Sequence, residues 1–213
     1  MKNFSWIFCI IIILGTVSCS HTPKGIDTTP LYNLQLSDDL DVFNIIFDND
    51  SVLAKKYNCE LITPEFGRYE NKLRISVSAT NDTNEYIMRN IDIWQFEKCT
   101  DALEWYLSEK SISLIEGKLY KEEQEKNKYF MTYQKISISQ NHGIPLIENG
   151  TILDLGFLLN RYLVIISYTD FGSKNKNYKQ DINNDIILVS KIFNDANKVL
   201  QLTPKKQKTN PCK

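Results

Sequence analysis

Six apolar residues near the C-terminal end, Ile182, Ile186, Val189, Phe193, Ala196 and Leu200, recur at intervals of 4, 3, 4, 3 and 4 residues. That spacing sets a continuous apolar stripe along one face of an α-helix. Asp181 and Asn183 supply capping candidates, and Pro204 closes the helix. A helix with one apolar face must lie on something, and the preceding residues describe a sheet. Tyr162, Val164, Ile166 and Tyr168 belong to a largely apolar run that reads as the central, most buried strand. The run Thr151–Leu159 precedes it, joined by a tight Asn160-Arg161 turn, and Tyr129–Ser139 adds aromatic and β-branched residues. Asn149-Gly150 is the strongest hairpin dipeptide in the chain.

Earlier in the chain, Leu73, Ile75, Val77 and Ala79 alternate with polar residues, and Ile87–Phe96 follows after the turn cluster Asn81-Asp82-Thr83-Asn84. This is the pattern of an antiparallel hairpin. Tyr32, Leu34 and Leu36 alternate as a short first strand would, and Val52–Tyr57 suits one or two helical turns. Thr100 offers an N-cap and Asp101 a favourable first-turn charge for a second helix that carries Ala102, Leu103, Tyr106 and Leu107 and ends near Lys110. Leu119–Lys128 holds six charges and reads as a solvated loop or edge. The expected architecture is α+β: a mainly antiparallel sheet with two helices packed on one face. Its element order is similar to the sandwich of the extrinsic photosystem oxygen-evolving subunit and related bacterial lipoproteins, a likeness carried by element order alone.

The first residues concern destination rather than fold. Lys2 gives a positive start, Phe4 to Leu14 form an apolar run interrupted only by Ser5, and Gly15-Thr16-Val17-Ser18 leads to Cys19. This is the layout of a secretory signal peptide over residues 1–18, and its apolar run is too short to span about 30 Å of hydrocarbon. A cysteine after Ser18 resembles the lipobox of bacterial lipoproteins, although Thr16 stands where that family usually has Leu. The resemblance covers residues 1–19. It implies cleavage before Cys19, acyl chains on Cys19 as the membrane anchor, and residence in the bacterial envelope. Ser20 rather than Asp follows the cysteine, which by analogy favours the outer over the inner membrane. Residues 19–30 then read as a lipidated cysteine and flexible tether, 31–202 as one globular domain, and 203–213 as a disordered basic tail. An unlipidated secreted protein is the alternative.

The formal net charge of −1 removes the electrostatic case for a nucleic-acid partner. His21 sits in the tether and His142 in a predicted turn, and the chain has no CxxC, HxH or HExxH spacing and no glycine-rich phosphate loop. Asp38, Asp39, Asp41, Asp48 and Asp50 lack the calcium-loop spacing and read as a solvated acidic loop. No cofactor or metal is therefore expected, and no catalytic residue is assigned. Cys59 and Cys99 form the candidate disulfide, with two separate buried thiols as the other reading. Among the aromatics concentrated between Trp94 and Tyr133, Trp105 lies off the apolar stripe of its helix, so it either recognises carbohydrate or peptide or covers a helix–sheet seam. The function expected is a lipid-anchored, non-enzymatic envelope module with a protein or glycan partner. An envelope hydrolase using carboxylates or His142 is the alternative.

Overall fold

A computed structural model describes residues 25–47, 52–62, 72–76, 87–116, 118–123, 127–138, 147–171 and 177–202. The described residues open with three short helices: α1 (Thr29–Tyr32), α2 (Val42–Phe47) and α3 (Leu53–Tyr57). Strands β1 (Glu60–Ile62), β2 (Lys72–Ser76) and β3 (Ile87–Gln95) follow, then helix α4 (Cys99–Glu116). Four more strands, β4 (Lys118–Glu123), β5 (Asn127–Ile138), β6 (Ile147–Leu159) and β7 (Tyr162–Asp170), lead into the long helix α5 (Tyr178–Leu202).

All seven strands form one sheet in the order β1-β2-β3-β7-β6-β5-β4, and every pairing is antiparallel. The α+β class is as expected, and β7 is the central strand. Register stacks residues in rows: Ile91 opposes Ile166, which opposes Leu155, which opposes Met131. Three residues along, an odd step that reverses the face, Trp94 opposes Leu163, which opposes Leu158. Because successive side chains point to opposite faces, the first row meets α5 and the second meets α4.

The two long helices therefore lie on opposite faces of the sheet, which corrects the expected packing of both on one face. The cause lies in β7, where Leu163 is as fully buried as Val164, so each face of the central strand needs a cover. On the α5 face, Ile182, Ile186, Val189, Ile192 and Phe193 are wholly buried, each contributing about 1.5–3 kcal/mol by burial. The α4 face has a smaller core of Ala102, Tyr106, Phe130, Leu158 and Leu163. There the Phe130 ring lies across Gly156, its cross-strand neighbour, where any Cβ would collide with it.

Local patterns misled in three further places. Tyr32, Leu34 and Leu36 are not a strand: Pro30 starts the single turn of α1, and Asn127 Nδ2 donates to the Tyr32 and Leu34 carbonyls instead of a neighbouring strand doing so. Asn149-Gly150 lies within β6, where Gly150 opposes Ile136 in the ladder. The helix expected to end near Lys110 continues to Glu116. The charged stretch from Lys118 is the edge strand β4, a usual place for charges that discourage further strand pairing.

The domain also begins earlier than residue 31. Asn183 on α5 accepts from the Asp27 N–H at 2.9 Å and donates to the Gly25 carbonyl at 2.8 Å, while Ile26 is buried. From there the segment runs along α5, with Ser190 Oγ donating to the Pro30 carbonyl and Asn197 Nδ2 to the Gln35 carbonyl. Residues 25–30, expected as tether, are thus part of the folded body.

Candidate functional site

The aromatic cluster predicted around Trp105 exists as a layer between β3 and α4. Trp105 lies 5.0 Å from Trp94 and 6.4 Å from Phe96, and Trp94 and Phe96 are 6.4 Å apart, centroid to centroid. Trp94 and Phe96 share a face because they are two residues apart on extended backbone. On α4, Ala102 and Tyr106 take the innermost positions, which leaves Trp105 on the flank. All three rings are half-buried. Trp105 is accordingly not an exposed lone aromatic; it covers the helix–sheet seam with two partners. Leu107, expected on the apolar stripe, is instead 48% exposed.

A polar buckle holds the end of the sheet that carries the β6–β7 turn. Asn160 takes the left-handed conformation the tight turn needs (φ 54°), and Arg161 Nη2 donates to the Leu40 carbonyl at 2.6 Å. Tyr162 Oη donates to the same carbonyl and accepts from the Val42 N–H. Gln95 Nε2 donates to Asp41 Oδ1 at 3.0 Å, and Asp41 accepts the Asn44 N–H, capping α2. Burial pushes the Tyr162 hydroxyl up to about 12, so it stays a donor at any ordinary pH. The group is a structural clasp, and it accounts for Asp41, one residue of the expected acidic loop.

Two ion clusters join α5 to its neighbours. Arg89 of β3 meets Asp185 with both Nε and Nη2 and donates from Nη2 to the Asp181 carbonyl at 3.2 Å. Burial raises the Asp185 carboxyl, and Arg89 opposes that rise. Asp195 accepts from Lys56 Nζ and Tyr57 Oη, each at 2.6 Å, tying α3 to α5; these bonds hold its carboxyl well below the usual range. Sequence reasoning did not single out these pairs. The available signal was Asp185, an acid on the apolar face of the final helix that requires a buried partner.

Cys59 and Cys99 do not pair. Cys59 is a free, half-buried thiol on the α5 side of the sheet, whereas Cys99 begins α4 on the other side and is disulfide-bonded. The sheet between them prevents the approach to within about 7 Å that a bridge requires. Burial pushes the Cys59 thiol up to about 11, leaving it protonated and poorly nucleophilic at neutral pH.

Among the described residues, no three His, Cys, Asp or Glu side chains converge to hold a metal, and no helix is long and apolar enough to cross a membrane. Cys19, His21, Asp48, Asp50, His142 and Cys212 lie outside the described residues, as does the 203–213 tail. No family model matches the chain, and neither a curated protein nor a solved structure matches it.

Proposed function

We propose that this chain is a lipid-anchored domain of the bacterial envelope, acylated at Cys19 and acting by binding a protein or glycan partner rather than by catalysis. The observation that carries the reading is that Gly25, only six residues after Cys19 in sequence, is already fastened to α5. Six extended residues span at most about 20 Å, so acyl chains on Cys19 would hold the whole domain against the bilayer surface. A free soluble domain gains nothing from so short a leash, while a displayed module gains a defined height. The half-buried Trp94–Phe96–Trp105 layer supplies the contact surface, since clustered aromatics give large area at low entropic cost. Ser20 after the cysteine favours the outer membrane.

Metabolic labelling with an alkyne fatty acid tests the anchor. Wild-type protein should carry label and fractionate with membranes, and Cys19→Ala should lose both. An unlabelled wild-type protein with an unmodified Cys19 would overturn the reading.

A further inference from the structure

We infer that the corner of the sheet beside α4 binds a neutral oligosaccharide, with Trp94 and Trp105 at one end and Asp92, Asn90, Ser167 and Asp154 as its floor. This rests on the binding role proposed for the aromatic layer and names the ligand of that same surface.

The corner follows from how α4 crosses the sheet. The helix starts four residues after Gln95, which opposes Tyr162, and stops two residues before Lys118, which opposes Tyr133. Tyr133 is level with Leu153, Tyr168 and Arg89, so α4 enters at one corner of the sheet and leaves at the opposite one. That diagonal is about 28 Å, from about 20 Å along β3 and about 19 Å across the strands. An 18-residue helix is about 27 Å long, which matches it. The inner side of α4 lies over Leu163, Leu158 and Phe130. Its β3 flank leaves the far part of β3 and β7 more open, and Met88 there is 53% exposed. Trp105 stands on that flank, since it packs on Trp94 and Phe96.

The floor of the corner is polar. Trp94, Asp92 and Asn90 take successive positions on one face of β3 over about 13 Å, and Asn90 opposes Ser167, which opposes Asp154. All five are half-buried, whereas Tyr162, Val164, Ile166, Tyr168 and Asp170 on the reverse side of β7 are buried. A sheet surface that only meets water suits long charged residues, such as those in the sequence of the edge strand β4. Short amides, carboxylates and hydroxyls are held close to the backbone instead, and lose little rotamer freedom when they bind.

The chemistry selects the occupant. A carboxylate accepts up to about four hydrogen bonds, so Asp92 and Asp154 can take sugar hydroxyls while keeping their protein partners. Asn90 and Ser167 add donors, and the tryptophan faces suit the C–H face of a sugar ring. Asp92 and Asp154 repel an anionic ligand. A peptide added as a strand needs a sheet edge, which the inner strands β3, β7 and β6 do not offer.

The test is titration of the exported full chain, in a sugar-free detergent, with maltotetraose, cellotetraose and chitotetraose. Tryptophan emission is the readout, because Trp94 and Trp105 are the only tryptophans after residue 18. At least one sugar should give a saturable change. Asn90→Ala and Asp154→Asn should each weaken it about tenfold with the far-ultraviolet circular dichroism unchanged, the loss expected for a hydrogen bond to a polar ligand. No saturable change with any of the three, or equal affinity in both variants, would overturn the inference. A fatty-acylated protein that crosslinks to a protein partner through Trp105 and binds none of the sugars would overturn the glycan site alone and leave the anchored module in place. Sugar binding by an unlabelled protein, lost in the two variants, would support the site and remove the anchor.

Discussion

Arg89 and Asp185 meet as a fork across the seam between β3 and α5, with the Asp185 side chain only 4% exposed. A buried ion pair adds little net stability because both charges give up hydration, but removing one partner strands the other. Arg89→Met should therefore cost about 3 kcal/mol in urea unfolding, while Arg89→Met with Asp185→Leu should recover most of that loss. Equal losses in the single and double variants would show that the fork does not govern this seam.

Gly156 and Phe130 make a second testable pair. Gly156→Ala places a methyl group where the Phe130 ring lies, so overpacking should cost about 1–3 kcal/mol. Combining it with Phe130→Leu should give less than the summed losses, because one change makes room for the other. Thermal unfolding of the four-member cycle measures this.

The Asp195 cluster predicts a pH dependence. The folded-state value of Asp195 lies below its unfolded value near 3.9. The contribution is thus complete above about pH 5 and lost as pH falls through the unfolded value and below. Asp195→Asn should be less stable than wild type at pH 7, and the gap should begin to narrow below about pH 4 and close only beneath the folded-state value, as followed by urea midpoints across pH. A constant gap would show that the carboxylate charge is irrelevant to docking α3.

Trp105→Ala should weaken the protein and its interaction separately. Loss of packing on Trp94 and Phe96 should cost about 2 kcal/mol and reduce the near-ultraviolet circular dichroism. Retained partner, measured by crosslinking on intact cells, should fall by about tenfold, the equivalent of about 1.4 kcal/mol. Trp105→Phe should restore stability more than binding.

The parts of the fold that are legible in sequence are those in which one face of one element decides the pattern. The stripe from Ile182 to Ala196 is wholly buried as its spacing demands, and the apolar run of β7 marks the centre of the sheet. That run also held evidence against one-sided packing, since Leu163 and Val164 cannot both face a single helix layer. Short segments were less readable because their partners are remote. The alternation of Tyr32, Leu34 and Leu36 reflects packing along α5, and Asn149-Gly150 lies inside β6, where Gly150 pairs with Ile136 of β5 beside a shift in the register of that ladder. At the candidate site, the clustering of aromatics was visible but their layering was not, because it depends on where α4 crosses β3. The buckle at Tyr162 joins residues more than a hundred positions apart, a relation no local pattern encodes.

The central place of β7 also sets an order of events. β3 is paired on its inner side with a strand from far along the chain, Gln95 with Tyr162 and Ile87 with Asp170. Until β7 exists, β1 to β3 form only a fragment whose apolar face has neither neighbour nor cover. Local hairpins form early and remote pairings late, so the sheet closes in the last steps of folding. A chain exported from its N-terminal end would thus cross a membrane with its first strands still uncommitted, and would become a single body only after the residues from Tyr162 onward had arrived.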